Sequence, residues 1–451
     1  MIYFYGQMKE NINSKKEKPS FKEAFWFWLK LGFISFGGPA GQIAIMHEFL
    51  VEKKKWISES RFMHALNYAM ILPGPEAQQL ATYTGWLLHG TRGGLVAGIF
   101  FILPSMLILL GLAILYVSFG EIPWVSAMFM GLKPAVIAIV LLALIKIGGK
   151  SLLTGFHILI AFLAFIFIFF LNVPFPLIII GSLVLAYLLR KTIPSLFEKT
   201  KSAKKKVPVD ENDYFINAHH TTAEAGFHFN RLLKQVIFAL VLWCLPFLFF
   251  YLFISDFAFW KQLSLFFTKA AFVTFGGAYA VLPYVAQVSV EKLQWLNQMQ
   301  MMDGLALGET TPGPLVMVLV FVGFMAGYNH TGGSLLFGSL GLLASTFYTF
   351  VPCFLFIFVG APIIEKTREN EKVKQALTIV SAAVVGVIFN LTIYLGKAIL
   401  FPKELMLSGL DYITLTWIVI SLIVLYRFKV NIILWIFVSA GFGLVKYSLQ
   451  L

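Results

Sequence analysis

Apolar stretches of membrane-spanning character recur along almost the whole chain, and no other feature restricts its fold as much. Val136 to Ile145, Phe156 to Leu171 and Val236 to Ile254 are examples, and a hydrocarbon core of about 30 Å takes roughly 20 apolar residues per helix. Of 451 residues, 59% are hydrophobic and 13% charged, with a mean hydropathy of +0.82. Soluble domains carry about a quarter charged residues. The expected class is an all-α polytopic membrane protein.

The 35 Lys and Arg against 22 Asp and Glu give a net charge of +13. In a soluble chain this would suggest nucleic acid, but no aromatic and basic motif for it is present, and the charges sit between the apolar runs. They are read instead as topology determinants, since Lys and Arg concentrate in cytoplasmic loops. Lys9, Lys15, Lys16 and Lys18 precede the first apolar run without a cleavable apolar core, so residues 1–23 are expected to be a cytoplasmic N-terminal segment. Cys244 and Cys353 lie in apolar runs, far from any other ligand-type residue. Neither a disulfide nor a zinc site is expected, and no cofactor is.

The chain repeats itself. Lys30 to Gly38 matches Lys269 to Gly277 at an offset of 239 residues (30 to 269), and the same offset takes Trp56 to Trp295, Pro73-Gly74-Pro75 to Pro312-Gly313-Pro314, and Gly93-Gly94 to Gly332-Gly333. After an insertion, an offset of 248 (104 to 352) takes Pro104 to Pro352 and Ala135-Val136 to Ala383-Val384. Two modules are therefore expected, 24–189 and 264–449. Between them lie a basic cytoplasmic linker, 190–235, expected to be mobile, and an extra transmembrane helix, 236–254. The linker carries Lys204-Lys205-Lys206, Asp210 and Glu211. Its adjacent His219 and His220 lack the fixed geometry of a metal site.

Two segments per half are interrupted near their middles. Ala24 to Met46 is broken around Phe36 to Gly41, and Met63 to Leu88 at Pro73 to Pro75. Arms of about 10 to 13 residues reach roughly 15 to 20 Å, half a bilayer, so re-entrant hairpins are expected. A dip and return also keeps Lys53, Lys54, Lys55 and Arg61 on the cytoplasmic side. Four crossings should follow, Leu95 to Val117, Trp124 to Ile147, Phe156 to Leu171 and Val173 to Leu189. The extra helix then inverts the second module, which places Lys366, Arg368, Lys372 and Lys374 inside. Inverted repeats with broken helices are a carrier architecture.

Irregular backbone at membrane depth needs protein or a water-filled cavity around it. A helix restarting after Gly37-Gly38 or Gly276-Gly277 offers free amides at its positive end to an anion, with Ser35 and Thr274 as candidate hydroxyl donors. Close helix packing is the plainer use of such glycines, but their recurrence beside a second break favours a site. Glu76 follows the first Pro-Gly-Pro and Glu309 precedes the second. An ionised carboxyl there is costly, so each is a candidate for carrying a coupling proton, or for simply holding its turn. Gln78 and Gln79 supply neutral amides. Lys30 and Lys269 either attract an anion or snorkel to the interface. His47 and His89 read as interfacial, and no catalytic constellation is visible, so an enzyme is not expected.

Phe33-Ile-Ser-Phe-Gly-Gly-Pro-Ala-Gly-Gln42, Trp56-Ile-Ser58, Ala65-Leu-Asn67, and Leu72-Pro-Gly-Pro-Glu-Ala-Gln-Gln-Leu-Ala-Thr-Tyr83 with Gly85-Trp86 resemble the first domain of the chromate ion transporter family. Phe275-Gly-Gly277 and Gly308-Glu-Thr-Thr-Pro-Gly-Pro-Leu315 resemble its second. The resemblance covers nearly all of the chain except linker and termini. It implies a multi-pass protein of the cytoplasmic membrane that exports chromate, driven by the membrane potential or proton gradient, with sulfate a natural competitor. The alternative readings are a carrier of another oxyanion such as sulfate in the uptake direction and, against the strain of paired broken helices, a non-transporting scaffold; a homodimer is a candidate assembly. The functional signatures it carries over are Phe36, Gly37 and Gly38; Pro73, Gly74 and Pro75; Phe275, Gly276 and Gly277; Pro312, Gly313 and Pro314. Gln42, Thr310 and Thr311 lie in the same strings.

Overall fold

The computed structural model describes residues 18–192, 213–217, 229–275, 277–364, 371–402 and 409–449. Gly276, the linker residues Lys204 to Lys206, Asp210, Glu211, His219 and His220, and the basic residues Lys366 and Arg368 lie outside the described residues. So do the side chains of Lys372 and Lys374.

The first module runs α1 (Phe21–Ile34), α2 (Gly38–His47), a π-helical turn (Glu48–Lys53), α3 (Glu59–Ala69), α4 (Glu76–Phe119), α5 (Pro123–Ser151), α6 (Gly155–Phe169) and α7 (Phe175–Thr192). The extra helix α8 (Phe229–Phe253) follows, starting before the apolar run that announces it at Val236. The second module runs α9 (Phe257–Val273), α10 (Ala278–Ala286), a π-helical turn (Gln287–Lys292), α11 (Gln298–Thr310), a 3-10 turn (Leu315–Met317), α12 (Val318–His330), α13 (Leu335–Ile364), α14 (Glu371–Leu400), α15 (Tyr412–Arg427) and α16 (Ile432–Ser448). Among the described residues, five helices, α4, α5, α8, α13 and α14, are long and apolar enough to cross a membrane.

Both breaks in each module are tips at which the chain turns back. Glu23 near the start of α1 pairs with Lys54 beyond α2 at 2.7 Å, and Phe27 meets Trp56 edge to face at 5.1 Å. The second module repeats this contact, Phe266 on Trp295 at 5.2 Å. The α3 hairpin closes likewise. Its returning arm, the first part of α4, ends at His89, which bonds the Pro19 carbonyl at the start of α1. In the second module α12 ends at His330, stacked on Phe259 and paired with Asp256 at the start of α9.

The expected boundary between Leu88 and Leu95 is a break inside α4. His89 (φ −136°) and Gly90 (φ 63°, ψ −155°) leave helical geometry and fold the arms together. A β-carbon on Gly85 would stand 2.5 Å from the Gly93 carbonyl oxygen, so only glycine allows this approach. The long arm of α4 then passes the tips and continues beside α11, where Tyr116 bonds Asp303. In the reciprocal sense α13 passes the tips and continues beside α3, where Tyr68 bonds the Phe356 carbonyl. The last helices are also exchanged. Gly443 of α16 packs on Ala127 of α5, and Gly386 of α14 on Ala161 of α6, each so close that a β-carbon would fall about 2 Å from a carbonyl oxygen.

The linker corrects its expectation in part. Ile216 pairs with Ile57 as an isolated parallel bridge, donating to the Trp56 carbonyl at 2.9 Å and accepting from the Ser58 amide at 2.8 Å. Ile216 is fully buried, and Asp213 pairs with Lys55 at 2.9 Å, which raises the Lys55 pKa above its ordinary value. The polar average of the segment hid a short apolar strap.

Candidate functional site at the hairpin tips

The tips of the two modules are joined crosswise. The Gly74 amide donates to the Thr274 carbonyl at 2.7 Å, and the Gly313 amide donates to the Ser35 carbonyl at 2.8 Å. Each Pro-Gly-Pro turn is thereby tied to the chain just before the glycine pair of the other module. Gly74 (φ 128°) and Gly313 (φ 87°) hold left-handed backbone that glycine alone adopts at little cost. The hydroxyls of Ser35 and Thr274 donate back to the Leu31 and Ala270 carbonyls, each at 2.6 Å. Their protons are therefore committed to the ends of α1 and α9, and what they present outward is lone pairs.

The helices restart with free ends. Gly37 caps α2 and Gly277 caps α10, neither with a side-chain hydrogen bond, so the first amides of both helices are left to solvent or a ligand. The Gly37 end lines a cavity of about 370 Å³, together with Glu309, Lys146, Leu142 and residues Leu425, Tyr426 and Lys429 to Ile433 around the α15–α16 connection. Glu309 accepts from the Tyr279 hydroxyl at 2.6 Å. At the other tip a Glu76 oxygen lies 3.6 Å from where a Gly277 β-carbon would stand. The charges of Lys146 and Lys150, both on α5, act on Glu309 and Glu76 respectively. Each acid thus sits at the glycine pair of the opposite module with a lysine in electrostatic reach.

The glutamines finish the polar lining. Gln42 donates to the Ser35 carbonyl and closely to the Gly313 carbonyl, Gln79 to the Pro73 carbonyl at 2.7 Å, and Gln78 to the Thr82 hydroxyl at 3.0 Å. All three are buried, and each keeps an amide oxygen with no protein partner. Unspent buried polar atoms are expected where water or a ligand completes the bonding. Thr310 and Thr311 turn their hydroxyls back onto the Leu307 and Gly308 carbonyls, and Thr311 also receives Ser105 from α4 at 3.4 Å. The structure thus brings the described glycines of both signatures, Gly37, Gly74, Gly277 and Gly313, together with Ser35, Thr274 and the glutamines. It does not bring in Lys30 or Lys269, which are exposed on the outer faces of α1 and α9. The cations at the cavity are Lys146 and Lys429, which the sequence presents only as charges near the ends of apolar runs.

Two homologous modules of broken helices, interlocked at their tips and exchanging their last helices, define the class: an all-α polytopic membrane protein. The sequence pattern of chromate transporters matches residues 22–187 and 261–444, and the chain belongs to the chromate transporter family. It is 28% identical over 406 residues to a probable chromate transport protein of Synechococcus elongatus, covering 88% of this chain and 90% of that one. It is 29% identical to a chromate transport protein of Pseudomonas aeruginosa, covering 84% and 82%. An uncharacterized transporter of Bacillus subtilis, 36% identical over 143 residues, covers 31% of this chain and 71% of its own length. No solved structure matches the chain.

Proposed function

We propose that the protein is a secondary carrier that exports chromate across the cytoplasmic membrane by alternating access, its N-terminus cytoplasmic and its two modules related as an inverted repeat. The observation that carries this reading is the crossed pair of hydrogen bonds at the tips, with a cavity reaching Gly37 and Glu309 from one side. A tetrahedral dianion suits the free amides of α2 and α10, with Lys146 drawing it inward. Sulfate, of like shape and charge, should compete.

In a cell negative inside, a dianion moving outward gains about 4.6 kcal/mol per 100 mV, twice the value for one charge. Export therefore runs downhill on the potential alone. Ionised Glu76 and Glu309 would repel the anion from the glycine ends, so a proton on each carboxyl is the condition for loading, and the pH gradient acts through that condition.

Everted vesicles given labelled chromate, with and without excess sulfate and an uncoupler, test the reading. Accumulation that collapses with the uncoupler and falls with sulfate is expected; no gradient-dependent accumulation would sink it. Orientation is tested separately by Lys54→Cys, because labelling of that position from outside intact cells would eliminate the proposed topology.

A further inference from the structure

A second charge cluster lies away from the cavity. Asp303 of α11 is 4% exposed, accepts from the Tyr116 hydroxyl at 2.9 Å, and faces the Lys133 ammonium at 3.5 Å. Lys133 is itself only 13% exposed. Tyr116 and Lys133 belong to the first module and Asp303 to the second, so three helices and both modules meet here. Along α5, Lys133 is 13 residues from Lys146, about 20 Å; along α11, Asp303 is 6 residues from Glu309, about 9 Å. Both steps lead away from the cavity, toward the end where α4 closes on α11. Phe129 and Phe321 pack edge-on against the Tyr116 ring at 5.0 and 5.6 Å.

The pair is poorly suited to a purely structural role. Two buried charges are costly to desolvate, and only close, fully bonded geometry offsets that cost. Here the contact is long, and the Asp303 oxygen facing Lys133 has no other partner. Neither charge is repeated, since Asp303 corresponds to His64 and Lys133 to Ser381. A loose, unrepeated ion pair between modules is easily parted.

We propose that Lys133 and Asp303, with the Tyr116 hydroxyl, lock the modules together on the side opposite the cavity, and that Lys133, once parted from Asp303, is the cation that escorts the oxyanion out of that side. The escort half rests on the carrier reading; the lock half does not.

Ser105→Cys, in a Cys244→Ser background, places a reporter at the second Pro-Gly-Pro turn, where the Ser105 β-carbon lies 2.9 Å from the position a Gly313 β-carbon would take. Sealed vesicles receive a membrane-impermeant maleimide on the face opposite the cavity, and labelling of position 105 is read by peptide mass spectrometry. Lys133→Met and Asp303→Asn should each raise the labelling rate about tenfold, and the exchange Lys133→Asp with Asp303→Lys should return it to within about threefold of the parent. Tyr116→Phe removes one hydroxyl without disturbing the packing, so it serves if the charge variants fail to insert; a rise of about threefold is expected. Single variants that label at the parent rate, or an exchange variant as fast as the singles, overturn the lock. Lys133→Met should also cut chromate flux about tenfold, and parent-like flux would overturn the escort. A parent that moves neither chromate nor sulfate, with the labelling pattern intact, would sink the carrier reading and leave the lock standing.

Discussion

The tips of the two modules share a backbone and differ in their side chains. The Ser35 and Thr274 hydroxyls make the same bond at the same length, the carbonyls of both residues receive the opposite glycine, and Lys55 and Gln294 after the π-helical turns take the same left-handed φ of 51° and 50°. Yet Gln42, Gln78, Gln79 and Thr82 of the first module correspond to Val281, Met317, Val318 and Phe321 of the second. On the carrier reading, the duplicated backbone serves the exchange between two related states and offers the cargo an amide end from each module, while recognition by neutral side-chain amides falls to one module. Symmetry here belongs to the movement and asymmetry to the chemistry.

The comparison breaks most visibly at its shared part. Alanine at Gly74 or Gly313 must hold a left-handed φ, at about 1–2 kcal/mol, and its methyl would stand 2.6 Å from Gln79 Nε2 in the first case and 2.9 Å from the Ser105 β-carbon in the second. Chromate flux should fall about hundredfold in both, and a large difference between them would refute the equivalence of the tips. The unshared part is tested by Gln42→Leu against Val281→Leu. Losing the amide strands buried carbonyls at about 1–3 kcal/mol and should cost flux about tenfold, whereas the apolar exchange should change it less than about twofold. Equal losses would remove the asymmetry.

Glu76→Gln and Glu309→Gln should each keep flux within about threefold while weakening its response to an imposed pH gradient, and the double variant should abolish that response. If the double variant still follows the gradient, the carboxyls carry no coupling proton. Lys30→Met and Lys269→Met should have the smallest effect, below about twofold in initial rate, because both ammonium groups are exposed on outer faces.

The repeat and its breaks were legible because glycine and proline announce backbone conformation wherever they occur; Gly74, Gly313 and the pairs at Gly37 and Gly277 needed no partner to be noticed. The acids beside those turns, Glu76 and Glu309, were legible too, but the other charges were not. Lys146 reads as one more topology anchor, and Lys133 and Asp303 acquire meaning only through the helix of the other module that faces them. Periodicity within one helix says nothing of which neighbour covers it. Ile216 escaped for another reason: the apolar run Tyr214-Phe215-Ile216 is too short to register in a polar stretch.

The crossed hydrogen bonds have a consequence for how the chain is made. When the first module leaves the ribosome, the Gly74 amide has no partner until Thr274 is inserted, the Ser35 carbonyl none until Gly313, and α6 lacks α14 as its neighbour until later still. The first module must therefore wait in the bilayer in an unfinished form, exposing polar backbone that is costly in lipid. Insertion machinery or water has to shield it during that interval. Synthesis that stalls within the second module should leave the first open to membrane proteolysis.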